Sequence, residues 1–331
     1  MTESVAVSPQ RAGASRPRRA IDGVLLLDKP VGPSSTRVLS HVKHLLGAAK
    51  AGHGGTLDPM ASGLLPLMFG EATKYAAHGL DADKTYEAVI ALGRQTTTAD
   101  REGEVLREAP VPGSLSAVQI QAVLQQFQGP IEQLPPMHSA LKKDGRALYS
   151  YARAGETVER APRRVQIHAI RLLGYAAPFV HVHVACSKGT YIRSLAEDIG
   201  AALGLPAHLH DLRRVAVGEL TSTDMVPLAA LEASSPEQCL TFLKPVDWLI
   251  RDWPEVVLGQ QQAQHFTHGQ SITISGLVAA GDSAAPSARE ACTIEDTTRV
   301  RVKNTSGVFL GTGRVDTRYQ LYPERLRVLS S

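Results

Sequence analysis

Cysteine is scarce in this chain of 331 residues, which contains only three. Cys186, Cys239 and Cys292 lie far apart, without a Cys-x-x-Cys pair and without a histidine at the spacing of a metal ligand. This distribution disfavours both a zinc site and a disulfide framework. It is typical of a reducing compartment, and we expect a cytoplasmic location.

Long hydrophobic runs are also missing. A membrane-spanning helix needs about 20 consecutive, mostly apolar residues, and no segment approaches that length. The basic N-terminal residues are not followed by the apolar core of a signal peptide. We therefore expect neither a membrane protein nor a secreted one.

Histidine is more frequent, with twelve residues that include three close pairs. None of the pairs has a third ligand in a recognisable metal-binding pattern, so surface or core histidines are the better interpretation. The pairs are His41 and His44, His181 and His183, and His208 and His210.

Positive charge is small overall but locally concentrated. The net charge is +3, and the first twenty residues, with four arginines and one glutamate, account for all of it. Residues 137–164 contain seven Lys or Arg against three Asp or Glu, and residues 299–331 contain seven against two. Both stretches could hold nucleic-acid phosphates, although charge runs of this size are more often solvated surface.

Length and composition predict more than one domain, because 331 residues exceed the usual size of a single core. Residues 1–21 are rich in Ser, Ala, Pro and Arg, and they bury too little apolar surface to offset the entropy of ordering. We expect a disordered basic tail at 1–21, a main domain at 22–250 and a small β-rich module at 251–331. A flexible loop is expected at 279–290 within this module.

Hydrophobic periodicity predicts alternating strands and helices without a repeating βαβ unit. This mixture favours an α+β fold with a mixed, mostly antiparallel sheet. The expected strands are 23–30, 64–69, 84–92, 179–186, 271–274, 299–303 and 308–315. The expected helices begin at Ser34 or Ser35, span 114–128, and follow Thr190 as a cap.

A glycine-rich loop contains the most suggestive carboxylate. Gly54 and Gly55 precede Asp58, and Pro59 follows it. Glycine lets the backbone approach a ligand closely and adopt positive φ. The same residue types are also the commonest in ordinary turns, so composition leaves a functional loop and a plain turn both open. A phosphate-binding P-loop is excluded because no Gly-Lys-Ser/Thr follows.

Five segments together resemble the successive motifs of the TruB family, the bacterial tRNA pseudouridine-55 synthases. Their order and spacing also agree, from about residue 22 to about residue 250 and more weakly beyond. The resemblance implies a pseudouridine synthase catalytic domain followed by a C-terminal PUA-like RNA-binding domain. The segments are Gly23–Pro30, Ala51–Pro66, Gly70–Lys74, Lys84–Tyr86 and Cys186–Arg193.

The resemblance implies three catalytic positions. Asp58 falls on the catalytic aspartate, Tyr86 on the tyrosine that stacks against the target base, and Arg193 on the arginine that pairs with the aspartate. We expect Arg193 to hold the carboxylate charged and oriented through a bidentate contact. Taken alone, Tyr86 would be interpreted as core packing and Arg193 as a solvated helix residue.

Four further residues fall on positions that contact or support the substrate. Tyr191 and Leu212 match contacts of the uracil pocket, and His53 matches the histidine that enters the RNA stack. Lys29, grouped with the substrate-binding positions, lies in the motif that supports the active-site loop.

The implied reaction is the isomerisation of uridine to pseudouridine at position 55, in the T-loop of tRNA. It exchanges a C–N bond for a C–C bond without redox change or hydrolysis, so we expect no cofactor and no metal. Asp58 could attack the ribose or the base, or act as a base that yields a glycal-like intermediate, and the residues leave these routes open. The target must be flipped out of the RNA at a cost of a few kcal/mol.

A different class of function uses the same residues. The alternative is a non-catalytic protein that binds tRNA and helps it fold on the same scaffold. A guide-RNA-dependent relative is disfavoured, because the chain has no obvious lysine-rich tail or partner-docking extension. The expected partner is therefore the T-stem-loop of tRNA, without guide RNA, and the expected state is a monomer.

Overall fold

The computed structural model describes residues 18–139, 141–156, 158–275 and 297–328. Nineteen strands and eight α-helices lie within these ranges. The strands are β1 (Gly23–Lys29), β2 (Ala51–His53), β3 (Ala61–Phe69), β4 (Lys84–Leu92), β5 (Arg94–Thr96), β6 (Val105–Glu108), β7 (Gly129–Gln133), β8 (Lys142–Lys143), β9 (Arg146–Ala147), β10 (Arg163–Ala176), β11 (Phe179–Cys186), β12 (Ala207–Val217), β13 (Leu220–Thr221), β14 (Val226–Pro227), β15 (Glu255–Leu258), β16 (Ile272–Thr273), β17 (Thr298–Asn304), β18 (Phe309–Val315) and β19 (Gln320–Leu326). The helices are α1 (Ser35–Leu46), α2 (Ala76–Asp81), α3 (Ala117–Gln126), α4 (Leu148–Arg153), α5 (Ile192–Ala202), α6 (Leu228–Glu232), α7 (Pro236–Thr241) and α8 (Gln260–Thr267). Short 3₁₀ helices span Gly70–Tyr75, Ser222–Asp224 and Trp248–Ile250.

The larger sheet has ten strands and is mixed but mostly antiparallel. Its main order is β14-β1-β3-β12-β4-β11-β10-β7, with β2 paired to β3 and β13 paired to β12. Within the described ranges, its parallel pairs are β1 with β14 and β12 with β3. The α+β class expected from the sequence is therefore confirmed.

Burial explains why two kinds of strand sequence occur in this sheet. Strand β11 alternates because one face packs against the helices, so Val180, Val182 and Val184 are fully buried. Strands β1 and β3 are buried on both faces, since Leu25 and Val24 belong to different apolar clusters. Continuous apolar runs are the expected signature of such strands.

The smaller sheet lies in the C-terminal part of the chain, with the order β15-β17-β18-β19-β16. It has an apolar cluster of its own that includes Phe266, Val300 and Leu321. Phe309 of β18 contacts Tyr75 at the end of the 3₁₀ helix that follows β3, and the two ring centroids lie 5.8 Å apart in an edge-to-face arrangement. The β-rich C-terminal module expected from the sequence is confirmed.

Several local predictions differ from the structure. The fourteen-residue β10 and the eleven-residue β12 were not predicted, because charged residues on the open face of the sheet interrupt their apolar pattern. Order also begins before Gly23, since the Arg19 N–H donates to the Gly47 carbonyl at 2.7 Å and Ile21 is buried. The loop expected at 279–290 lies outside the described residues.

Candidate active site

Asp58 lies in the loop that connects β2 to β3. Its carbonyl accepts a hydrogen bond from the Ala61 amide at 3.1 Å, which closes the turn into β3. The side chain is 36% exposed. The carboxylate is therefore only partly covered by the protein, and solvent can still reach it.

Helix α1 fixes the residue before Asp58. The Ser35 hydroxyl donates to the Leu57 carbonyl and accepts from the Leu57 amide, both at 2.8 Å. Ser35 is completely buried, and the helix cap is instead Ser34, whose hydroxyl accepts from the Arg37 amide. The sequence predicts either Ser34 or Ser35 as the cap, and it does not predict the hydrogen bonds between Ser35 and Leu57.

Lys29 holds the residues after Asp58 in place through hydrogen bonds to their carbonyls. Its ammonium donates to the carbonyls of Ala61 at 2.7 Å, Pro30 at 2.9 Å and Pro59 at 3.4 Å. Burial lowers the pKa of Lys29 to about 8, against the opposing negative charge of Asp58. Because Lys29 has no exposed surface, it supports the loop from within the protein.

Arg193 forms the ion pair with Asp58. Its Nε lies 3.0 Å from Asp58 Oδ2, and the arginine side chain is only 5% exposed. The two terminal nitrogens donate elsewhere, to the carbonyls of Thr98 at 3.2 Å and His138 at 2.7 Å. The expectation of a bidentate contact is therefore wrong, because these carbonyls occupy the fork of the guanidinium.

The electrostatic balance at Asp58 is governed by burial. Burial raises the pKa of the Asp58 carboxyl, and the nearby positive charge of Arg193 opposes that rise. Asp100 adds to the rise, while Lys29 and His138 lower the pKa. Asp100 also lies 3.6 Å from Arg193 Nη1, so the arginine is shared between two carboxylates.

The start of helix α5 contains both Tyr191 and Arg193. Tyr191 is the N-cap residue and Arg193 lies in the first turn. The expected cap, Thr190, instead donates its hydroxyl to the Ser187 carbonyl at 2.9 Å. Gln133 at the end of β7 holds this helix start, since its amide accepts from the Tyr191 N–H at 3.0 Å and donates to the Tyr191 carbonyl at 3.2 Å.

Tyr86 and Leu212 lie on neighbouring strands in the apolar cluster that also contains Leu57 and Ile192. Leu57 precedes Asp58 and Ile192 precedes Arg193. Tyr86 and Leu212 are each 9% exposed. The structure thus brings these predicted positions into one neighbourhood, although Tyr86 is also part of the core.

Arg214 is a buried residue that the sequence analysis missed. It is 1% exposed, and it donates to the carbonyls of Leu64 at 2.8 Å and Gly55 at 3.1 Å. It is paired in register with Tyr86 on β4. Burial raises the pKa of Tyr86, and the positive charge of Arg214 opposes that rise. Arg214 therefore links the glycine-rich loop to the strand of Tyr86.

His53 ends strand β2 at the other side of this loop. Burial lowers the pKa of His53, and the charge of Arg214 lowers it further. Its Nδ1 is buried without a hydrogen-bond partner among the described residues. These surroundings therefore favour the uncharged form of the His53 ring, and its Nδ1 makes no hydrogen bond to the described residues.

The first basic stretch forms the hairpin β8–β9 and helix α4. Arg146 pairs with Glu156 at 3.3 Å and lies 4.3 Å above the Tyr151 ring. Lys143 donates to the Glu159 carbonyl at 2.8 Å, whereas Lys142 is exposed. The two lysines and Arg146 are therefore not equivalent, since Arg146 connects the hairpin to helix α4 and the residues after it.

Two absences hold for the part of the chain that the structure describes. There, no group of three or more His, Cys, Asp or Glu residues is arranged to hold a metal ion. Over the same ranges, no helix has the length and hydropathy required to cross a membrane.

Three family models match successive parts of the chain. The N-terminal domain of TruB family pseudouridylate synthase matches residues 43–192, and the tRNA pseudouridylate synthase B C-terminal domain matches residues 193–251. The C-terminal domain of pseudouridine synthase II TruB matches residues 254–326.

Individual proteins agree with these matches. The tRNA pseudouridine synthase B of Ralstonia nicotianae is 57% identical over 79% of this chain and 84% of that protein. The protein of the same name from Burkholderia mallei is 51% identical over 94% of this chain and 98% of its own length. The crystal structure of a Cbf5-Nop10-Gar1 complex contains a chain with a TM-score of 0.66 and 26% identity, covering 92% of this chain and 84% of that one. This chain therefore belongs to the TruB family of pseudouridylate synthases and is an enzyme that pseudouridylates tRNA.

Proposed function

We propose that the enzyme isomerises the uridine at position 55, in the T-loop of tRNA, and that Asp58 is its catalytic carboxylate. The ion pair between Asp58 and the buried Arg193 carries this proposal. Asp58 lies on a loop that is held in place on both sides of this residue, by Ser35 before it and by Lys29 after it. A carboxylate held in this way is oriented before the substrate arrives, which lowers the barrier to reaction.

The reaction breaks the bond from C1′ of the ribose to N1 of uracil and forms a bond from C1′ to C5. The C5 proton is released and N1 is protonated, so no electrons are gained or lost overall. Asp58 either attacks the ribose or the base covalently, or acts as the base that yields a glycal-like intermediate. Both routes require an ionised carboxylate, and Arg193 favours that form.

Four other residues are proposed to receive the flipped uridine. Tyr86 stacks against the base, and Leu212 and Tyr191 complete the uracil pocket. His53 enters the space that the base leaves in the RNA. Stacking on an aromatic ring contributes about 1–3 kcal/mol per base, which offsets part of the cost of flipping.

Lys29 is proposed to position the loop and not to bind the substrate, because its ammonium is enclosed by carbonyls. Arg214 is proposed to act in the same way from the opposite side, through the Gly55 carbonyl. Neither residue is exposed to a bound base.

The remaining RNA contacts are assigned to the hairpin β8–β9 and the basic C-terminal sheet. We propose a catalytic domain at 22–250 and a PUA-like RNA-binding domain at 251–331. The working unit is a monomer that recognises the T-stem-loop without guide RNA, in the cytoplasm. A non-catalytic role in tRNA folding is the alternative, and the intact pair of Asp58 and Arg193 favours catalysis.

Tritium release from unmodified tRNA with 5-tritiated uridine tests the proposal, since pseudouridine formation expels the C5 hydrogen. We expect Asp58→Ala to abolish release while tRNA binding persists. Asp224→Asn is the matched control, because that carboxylate is 47% exposed and pairs with Lys244, a residue without a role in the site. Mapping of the modified nucleotide then tests the position. Unchanged release by Asp58→Ala, or modification outside the T-loop, would contradict the proposal.

A further inference from the structure

One motif of the sequence has no role in the site described above. The segment Gly70–Lys74 follows β3 as a 3₁₀ helix and lies at the junction of the two sheets. Its side chains contact the end of β19 and the residues that follow that strand. The motif thus joins the larger sheet to the last part of the C-terminal sheet.

Glu71 and Lys74 make the first half of this junction. One oxygen of Glu71 accepts from the Lys74 ammonium at 2.6 Å and from the Val328 amide at 2.9 Å. The same ammonium donates to the Leu326 carbonyl at 2.7 Å. Two side chains of the motif therefore hold both a carbonyl and an amide of the C-terminal strand end.

Asp22 makes the second half. One carboxylate oxygen accepts from the Glu71 amide at 2.9 Å, and the other lies 3.3 Å from Nη2 of Arg327. Gly70 is required for this approach, because a Cβ at its φ of +54° would lie 2.1 Å from the Asp22 oxygen. Asp22, Glu71 and Arg327 thus connect the start of the chain, the motif and the strand end.

These contacts are partly shielded from water. Side-chain exposure is 18% for Glu71, 27% for Lys74, 23% for Asp22 and 24% for Arg327. Hydrogen bonds to charged groups in such surroundings are stronger than those of exposed ion pairs. Burial alone would raise the pKa of Glu71, but Lys74 and the Val328 amide lower it overall, so the carboxylate is ionised at neutral pH.

We propose that Asp22 and Glu71 are positioning residues that lock the C-terminal sheet against the catalytic sheet, so that a full-length tRNA is held at two points a fixed distance apart. The lock acts on binding of the intact tRNA and leaves the chemistry at Asp58 unchanged. The proposal rests on the proposed recognition of the T-stem-loop by the catalytic domain. Fixing two binding surfaces relative to each other raises the affinity for a ligand that spans both.

The sign of the charge distinguishes a lock from a direct contact with RNA. Asp22 and Glu71 are anionic, so neutralising either one makes this surface more attractive to phosphates. If the surface contacted RNA only through its charge, Glu71→Gln would therefore lower KM. A lock predicts the opposite change, because the freed C-terminal sheet no longer holds its part of the tRNA in register.

The experiment compares two substrates, a full-length tRNA transcript and an isolated T-stem-loop. For Glu71→Gln and for Asp22→Asn we expect about a tenfold rise in KM with the full-length tRNA, with kcat unchanged. With the stem-loop, both constants should match those of the unchanged enzyme. Glu108→Gln is the control, since it neutralises a carboxylate of an ion pair in which Glu108 is 56% exposed. A lower KM with full-length tRNA, or equal changes with both substrates, would overturn the lock.

Hydrogen exchange provides a measurement that does not depend on the substrate. The Val328 amide donates to Glu71, so its exchange should quicken by about tenfold in Glu71→Gln while the strands of the larger sheet remain protected. Unchanged exchange at Val328 would refute the lock. If the unchanged enzyme does not modify the stem-loop, the proposed T-loop site fails, and the exchange result then decides on the lock by itself.

Discussion

Ser35 and Leu57 exchange two hydrogen bonds of 2.8 Å, one in each direction, between a buried side chain and the backbone. The pair ties the first turn of α1 to the residue before Asp58. One hydroxyl group thus satisfies both backbone polar groups of the buried residue Leu57 and fixes the loop that bears the carboxylate.

Ser35→Ala should lower kcat and stability together. It leaves the N–H and the carbonyl of Leu57 without partners in a buried site, which costs about 1–3 kcal/mol in the free energy of unfolding. Ser34→Ala is the matched control, because it removes an exposed cap worth about 1 kcal/mol without touching the loop. Urea unfolding and single-turnover tritium release measure the two effects. Equal kcat values for the two variants would refute a loop-fixing role for Ser35.

Arg193→Lys should reduce kcat by at least about 100-fold, although it keeps the charge. A single ammonium cannot reach the Asp58 carboxylate and also satisfy the carbonyls of Thr98 and His138. Arg213→Lys is the control, because Arg213 makes a bidentate pair with Asp28 and is 39% exposed. Single-turnover rates should separate the two variants clearly, and similar rates would contradict the importance of the shared guanidinium.

Asp58→Asn should stabilise the protein at neutral pH while it abolishes catalysis. The folded state raises the pKa of Asp58, chiefly through burial, so the folded protein binds more protons than the unfolded chain between the two pKa values. The contribution of Asp58 to the free energy of unfolding therefore falls as pH rises from its unfolded pKa to its folded pKa. The gain in Tm of Asp58→Asn should be present at pH 7 and should vanish in acid, where the native carboxyl is already neutral. A Tm below that of the unchanged enzyme at pH 7 would show that pairing with Arg193 outweighs burial.

The raised pKa of Asp58 also predicts where kcat/KM falls on the acid side of the pH profile. Because the reaction needs the carboxylate, kcat/KM should fall as pH drops through the raised pKa of Asp58. Removing the neighbouring negative charge with Asp100→Asn should move this limb to lower pH, since Asp100 raises the Asp58 pKa. Stopped assays at several pH values locate the limb, and a shift to higher pH in Asp100→Asn would contradict the assigned cause.

Lys142→Gln should flatten the salt dependence of tRNA binding. Each lost phosphate contact reduces the slope of log K against log salt by about 0.7–0.9, and Lys142 is exposed on the hairpin. Arg146→Gln should instead lower the stability of the hairpin, because Arg146 is engaged with Glu156 and Tyr151. Filter binding at several salt concentrations tests both variants. An unchanged slope for Lys142→Gln would assign this lysine to ordinary solvated surface.

The sequence predicts those parts of the fold that depend on local pattern. Strand β11 alternates strictly, and its predicted bounds are those of the structure. Strand β4 likewise agrees, and the position of Arg193 in the first turn of α5 follows from the helical spacing behind it. The pattern does not predict strand β12, because Asp211 and Arg213 face away from the core. A pattern of burial on one face is hard to recognise when charges fill the other.

The parts of the site that the sequence does not predict are contacts between segments far apart in the chain. Ser35 meets Leu57 across 22 positions, Gln133 meets Tyr191 across 58, and Arg214 meets Gly55 across 159. No periodicity within one segment encodes such pairs. Asp58, Tyr86 and Arg193 were identified through the family motifs, and their catalytic roles remain predictions.

Arg193 also has a consequence for how activity arises as the chain folds. Its guanidinium is held by residues 58, 98, 100 and 138, which belong to three separate stretches of the polypeptide. A partly folded chain that lacks one of these stretches lacks part of the setting that orients the guanidinium. If Asp58 and Arg193 act as proposed, competence for reaction is gained only when all three stretches have assembled around the start of α5.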